Sequence, residues 1–283
     1  MRKIRTAVVL FFIMSCICYG AYGIRKWERT DHHAPVIHVE SPVLKIPVSA
    51  AEEALFKGVT AVDEEDGDRT AYVQVASLSP LTEEHERTVR YIVFDEGGLS
   101  ATASRTISYT DYESPKIYLT KPLLLEGKKL PTDAEELGAK ALDCMDGDIS
   151  DRIRMTYGKS YLSLADTTGP CEIILQVNNS AGDTRLIPLT ATIADPRKEE
   201  GKVYPVLSEY LVYRKTGEAL RPREYLQGIF VNGQIYESDT EQEEVCVPEQ
   251  VVYKVPGIYE VEFSYTAKEA ITAVTVLYVV VED

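Results

Sequence analysis

Six aspartates form the densest chemistry in the sequence. Asp63, Asp66 and Asp68 lie within six residues, in Gly58-Val-Thr-Ala-Val-Asp-Glu-Glu-Asp-Gly-Asp. Eighty residues on, Asp143, Asp146 and Asp148 keep the same spacing in Gly138-Ala-Lys-Ala-Leu-Asp-Cys-Met-Asp-Gly-Asp. Carboxylates this dense suit a hard cation, with calcium as the candidate, which takes roughly six to eight oxygen ligands. Asp95 and Asn179, at matching places further on, could add to each set. The other reading is purely conformational. Each Asp would cap a tight turn by accepting backbone N–H bonds, with Gly67 and Gly147 supplying the left-handed backbone. The spacing is not that of an EF-hand loop, because no Glu closes it at the twelfth position.

Other reactive side chains are sparse. Of five cysteines, Cys16 and Cys18 fall in an apolar stretch, leaving Cys144, Cys171 and Cys246. No C-x-x-C pair exists, so zinc-ribbon and thioredoxin-like chemistry lack their ligand spacing. Cys144 and Cys171 match Glu64 and Arg87 of the preceding repeat. That replacement of a potential ion pair by two thiols suggests a disulfide, against two reduced thiols, while Cys246 reads as a small buried residue. The histidines are His32, His33, His38 and His85. No Ser or Cys motif accompanies them, and His32-His33 alone offers too few partners for a metal. Paired acids could serve glycoside hydrolysis, but these acids sit in turns. No catalytic set emerges, and the expectation is a protein that is not an enzyme. In the last third, Tyr210, Tyr213, Tyr225, Tyr236, Tyr253 and Tyr259 lie among acids such as Glu241, Glu243 and Glu244. They could form a binding face or the half-wet face of a sheet.

The elements holding these residues repeat. Val89-Arg-Tyr-Ile-Val-Phe-Asp95 matches Ile173-Ile-Leu-Gln-Val-Asn-Asn179, and Ala34-Pro35 opens the first unit as Ser114-Pro115 opens the second. A third unit opens at Val203-Tyr-Pro205 and ends in Pro256-Gly257-Ile-Tyr-Glu-Val and Ala270-Ile-Thr-Ala-Val, without the Asp-Gly-Asp turn. Val89, Tyr91 and Val93 alternate with more polar neighbours, as half-buried strands do. Gly97-Gly98 and Ala181-Gly182 mark hairpin turns. Ser49-Ala-Ala-Glu52 and Thr132-Asp-Ala-Glu135 read as capping boxes of single helical turns.

The fold expected is all-β: tandem immunoglobulin-like antiparallel β-sandwiches after one N-terminal helix. The divisions are 1–33 (signal anchor or signal peptide and linker), 34–112, 113–196 and a divergent 197–283. The G-V-T-A-x-D-x-x-D-G-D segment, with the following V-x-D-x-x-G strand and Ala/Thr strand, resembles bacterial surface immunoglobulin-like domains related to the hyalin repeat. The resemblance covers 34–110, 114–194 and the last half of 203–283. It implies the sandwich fold and a place in tandem strings on cell surfaces, and is silent on ligand.

Residues 7–24 carry no charge and follow Arg2, Lys3 and Arg5. Eighteen helical residues span about 27 Å, close to one hydrocarbon core. The basic flank keeps the N-terminus inside and puts the rest outside. An uncleaved anchor fits the long apolar run and the Arg25-Lys26 that follows it, whereas Ala21-Tyr22-Gly23 fits loosely as a cleavage site that would release a secreted chain. The 283 residues carry a net charge of −15, which excludes nucleic acid as a natural partner. The expectation is a non-catalytic, membrane-anchored surface protein whose repeats serve as stalk and adhesion or binding module. Its partners would be the membrane, through the helix, and a host or cell-wall glycan or surface protein. The alternatives are a carbohydrate- or cell-wall-binding protein using the third unit, and an accessory subunit of a surface enzyme. No cofactor is expected apart from the candidate calcium.

Overall fold

The computed structural model describes residues 2–29, 32–126, 130–158, 168–199, 201–231, 234–237, 245–265 and 273–283. Two compact units divide the chain, Met1–Asp111 and Tyr112–Asp283.

The first unit begins with α1 (Arg2–Arg29). Its window Val8–Arg25 is long and apolar enough to cross a membrane, and none of it is buried among the described residues. Seven strands follow: β1 (Val36–Val39), β2 (Val43–Ile46), β3 (Val59–Asp63), β4 (Gly67–Asp68), β5 (Gln74–Leu78), β6 (Glu86–Phe94) and β7 (Ser100–Tyr109). They form two sheets, ordered β1-β3-β4 and β2-β7-β6-β5. All pairings are antiparallel except β2 with β7, where Val43 stands opposite Thr106 and Ile46 opposite Tyr109. The period-two pattern drives the packing. Along β3, Val59, Ala61 and Asp63 turn inward while Thr60 and Val62 face out. Val89, Tyr91, Val93 and Ile107 meet them from the other sheet in one buried cluster.

The second unit repeats this plan twice. Strands β8 (Lys116–Leu119), β9 (Leu124–Glu126), β10 (Ala139–Asp143), β11 (Gly147–Asp148), β12 (Arg154–Tyr157), β13 (Gly169–Asn178) and β14 (Thr184–Ala194) make sheets β11-β10-β8 and β12-β13-β14-β9. Again an early strand, β9, runs parallel to the last, β14. The third set is β15 (Tyr204–Leu207), β16 (Leu211–Lys215), β17 (Ala219–Leu220), β18 (Leu226–Val231), β19 (Gln234–Tyr236), β20 (Val245–Cys246), β21 (Val251–Val252), β22 (Gly257–Tyr265) and β23 (Ala273–Glu282). Its main sheets are β15-β18-β19 and β16-β23-β22-β20, with β16 parallel to β23. The divergent third of the sequence therefore keeps the topology of the other two. Beyond α1 the protein is built of immunoglobulin-like antiparallel β-sandwiches.

The boundary expected between 196 and 197 separates these two sheet sets, yet the sets share one buried cluster. It runs from Ile117 and Ile173 through Ala191 and Leu211 to Phe263 and Leu277. Tyr213 spans them: its hydroxyl accepts the Ile117 N–H at 2.8 Å and lies 3.1 Å from the Ile117 carbonyl. The Tyr210 N–H donates to the Leu119 carbonyl at 2.9 Å. The helical turn expected to be capped by Ser49 begins later, at Glu52, and has no side-chain cap.

Candidate functional site

Both Asp-Gly-Asp turns are built alike. Asp63 Oδ1 accepts the N–H groups of Glu65 and Asp66, each at 2.9 Å, and Asp143 Oδ1 does the same for Met145 and Asp146. Asp68 Oδ1 accepts the Thr70 N–H at 2.9 Å, and Asp148 Oδ1 accepts the Ser150 N–H at 3.0 Å. Gly67 and Gly147 sit at φ +73°, a left-handed conformation that other side chains resist. The third aspartate ties each turn to the next hairpin. Asp66 Oδ2 accepts the Glu96 N–H at 2.6 Å, and Asp146 Oδ2 accepts the Ser180 N–H at 2.7 Å. The Ser180 hydroxyl adds a 2.6 Å bond to Asp146 Oδ1 and Arg152 a 2.5 Å ion pair to Oδ2.

These bonds show in the carboxyl acidities. The Thr70 hydroxyl and N–H hold Asp68 below the usual carboxylate range, and Ser150 does the same for Asp148. At Asp146 burial pushes upward, but Ser180 and Arg152 outweigh it and the net direction is down. Turn capping thus engages Oδ1 of Asp63 and of Asp68, while Asp63 Oδ2 is buried without a hydrogen-bond partner among the described residues. Among the described residues, no three of the six aspartates bring ligand atoms within 4.8 Å of one another.

The proposed Cys144–Cys171 bridge is not formed, and strand geometry explains why. Asn179, just past the end of β13, touches Asp143, the neighbour of Cys144. Cys171 is the third residue of β13. Seven residues at about 3.3 Å each put it more than 20 Å along the strand, whereas a disulfide needs Cα atoms within about 7 Å. Cys144 is exposed, and its thiol lies 3.1 Å from the Glu113 carbonyl. Cys171 is buried, which pushes its thiol pKa up. In the first repeat, Glu64 likewise lies near His33, while Arg87 donates to the Ser79 carbonyl at 2.9 Å. Cys246, expected inside, is exposed.

The tyrosines of the third segment divide between core and surface. Tyr210 and Tyr213 are packed at the shared cluster, and burial pushes Tyr213 up to about 12. Tyr253 and Tyr259 stack on each other with centroids 4.0 Å apart. Tyr236 is exposed. Glu241, Glu243 and Glu244 lie outside the described residues.

A cleft of about 530 Å³ opens in the second unit, unanticipated by the sequence pattern. Pro122 and Leu124 form one wall, and Tyr204, Pro205, Val206 and Phe230 the other. Tyr204 and Phe230 are cross-strand partners of β15 and β18. Lys202 and Glu199 pair at 3.0 Å on its rim, and the Tyr204 hydroxyl also donates to Glu199. An apolar lining with a few polar groups, at this volume, is the usual form of a small-ligand site.

No protein-family model matches the chain, and no curated protein matches it either. Similar solved structures include the CBM51-2 domain in complex with GlcNAc and INT domains of Clostridium perfringens ZmpB. That match is 19% identical with a TM-score of 0.23, covering 56% of this chain and 41% of the other. Mouse cadherin-23 EC22–24 is 11% identical with a TM-score of 0.21, covering 89% and 99%. The extracellular cadherin domains 1–5 of protocadherin gamma B2 are 12% identical with a TM-score of 0.20, covering 89% and 60%.

Proposed function

We propose that the chain is a non-catalytic, single-pass surface protein that holds β-sandwich modules outside the membrane and binds a ligand through the second unit. The observation behind the tether is α1, whose apolar window is covered by none of the other described residues. Its basic N-terminal flank favours an inside N-terminus. The resemblance of the repeats to bacterial surface domains related to the hyalin repeat supports the same placement. The cleft beside Tyr204 and Phe230 supports binding, because it offers apolar area and a charged rim. The test is to express the full chain with a C-terminal tag and treat intact cells with protease. Recovery of the tag in the membrane fraction, with loss on external proteolysis, is expected. A tag that is soluble inside the cell would sink the reading.

The cleft also favours one variant of this function, a glycan- or cell-wall-binding protein that uses the third segment. Aromatic residues at a cleft wall stack on sugar faces, and a paired Lys and Glu can bond hydroxyls. Retention of the full chain on cell-wall preparations, lost in Tyr204→Ala and Phe230→Ala, would support it. Equal retention of both variants would count against it.

A further inference from the structure

Beside the first Asp-Gly-Asp turn, three metal-ligating side chains converge. His33 Nδ1 lies 3.0 Å from Glu65 Oε1 and 3.7 Å from Glu64 Oε2, and the three donor atoms fit within 4.8 Å. A tetrahedral ion with bonds of about 2.0–2.2 Å separates its ligand atoms by roughly 3.3–3.6 Å. The two histidine–carboxylate distances bracket that spacing.

The backbone fixes this arrangement. In the β1–β3 pair Val36 stands opposite Val62, which brings the segment before β1 alongside the turn between β3 and β4 that carries Glu64 and Glu65. Asp63 Oδ1, bonded to the Glu65 and Asp66 N–H groups, locks the turn that presents both glutamates. The fold itself does not demand these side chains. In the second repeat Lys116 stands opposite Leu142, and the matching turn carries Cys144, its thiol 3.1 Å from the Glu113 carbonyl, and Met145. The same frame there carries a thiol and a thioether where the first repeat has two carboxylates.

We propose that His33, Glu64 and Glu65 bind a divalent transition-metal ion of the zinc class. An imidazole nitrogen favours such an ion over calcium or magnesium, which take oxygen ligands. Two carboxylates balance its charge, and water completes the coordination. All three side chains are exposed, so the ion can enter the folded protein. Because α1 ends at Arg29, the ion ties the segment leaving the helix to the 63–68 turn. The site does not depend on what the cleft binds.

The test uses the full chain in detergent, stripped with chelator and titrated with Zn²⁺ by calorimetry and with Co²⁺ by visible absorption. One saturable equivalent is expected, with cobalt d–d bands that Zn²⁺ abolishes and millimolar Ca²⁺ does not. His33→Ala, and Glu64→Gln with Glu65→Gln, should each weaken Zn²⁺ binding at least about tenfold, while His38→Ala should not. Circular dichroism checks that the variants fold, and the cobalt spectrum of the wild-type chain tests the site without any variant. Absence of saturable binding, or unchanged affinity in either weakened variant, would overturn the proposal.

Discussion

The side-chain amide of Asn179 donates to Asp143 Oδ2 at 3.1 Å and to the Tyr112 hydroxyl at 2.8 Å. The first repeat has Asp95 where the second has Asn179, so two carboxylates, Asp63 and Asp95, occupy the matching pair of positions. Oδ2 of each is buried without a hydrogen-bond partner. Arg69 takes the place of Ile149, and its Nε is also buried and unpartnered. An unsatisfied buried polar group costs about 1–3 kcal/mol. Asp95→Asn should therefore stabilise the first unit by about 1–3 kcal/mol, and Asn179→Asp should destabilise the second by a similar amount. Native-state hydrogen exchange reads the two units separately. A first unit weakened by Asp95→Asn would show that the amide is not the better partner there.

Acid should loosen the hairpin that Asp146 holds. Its carboxyl is kept below the ordinary 3.8 because, against the upward push of burial, Ser180 and Arg152 favour the charged form. A carboxyl whose folded pKa lies below its unfolded one binds protons more readily when unfolded. Its stabilising contribution is therefore whole above the ordinary value and is lost as pH falls below it toward the folded pKa. Ser180→Ala removes one of these bonds, so it should flatten the stability loss between pH 4 and pH 2 and lower stability at pH 7 by about 1 kcal/mol. Urea unfolding across that range measures both. An unaltered acid limb in Ser180→Ala would exclude the hydroxyl from this role.

The cysteines make a simpler prediction. Native alkylation should label Cys246 quickly and leave Cys171 unmodified until the chain unfolds, since burial both shields that thiol and raises its pKa. Peptide mapping without reductant should show no Cys144–Cys171 link. Finding that link would place the two ends of β13 together, against the register of Cys171 with Ala191 and Asn178 with Thr184.

Strand positions were legible because alternation is local: Val89, Tyr91 and Val93 alternate with more polar neighbours, and all three face inward. So were the glycines of the two turns, because the Asp that caps and the Gly that bends are neighbours in sequence. What the repeat alignment could not supply was distance across the fold. It matches Cys144 to Glu64 and Cys171 to Arg87, but matched positions need not touch, and a ten-residue strand keeps these apart. His33 looked isolated for the same reason, because its partners lie in the turn that the β1–β3 pairing brings beside it. The third segment hid its early strands, since topology survives where the Asp-Gly-Asp signature has gone. The cleft and the Tyr213–Ile117 contact join residues about a hundred positions apart, and no local period encodes such a meeting.

One buried network in the first unit has an apolar counterpart in the second, and this permits a clean test. Arg105 Nε donates to the Tyr91 hydroxyl at 2.8 Å, Nη1 to the Lys57 carbonyl at 2.8 Å and Nη2 to the Leu55 carbonyl at 2.7 Å. The matching positions in the second repeat hold Leu189 and Leu175, both buried. Arg105→Leu alone should cost about 2–4 kcal/mol, because it strands the Lys57 carbonyl and half of the tyrosine hydroxyl's bonding. Tyr91→Leu alone leaves a buried guanidinium short of a partner. The double change installs the second repeat's own solution, so its cost should fall short of the summed single costs by about 0.5–3 kcal/mol. Denaturant unfolding of the four proteins closes the cycle. Strict additivity would mean that Arg105 and Tyr91 act separately, and that the leucine pair of the second repeat is no substitute for them.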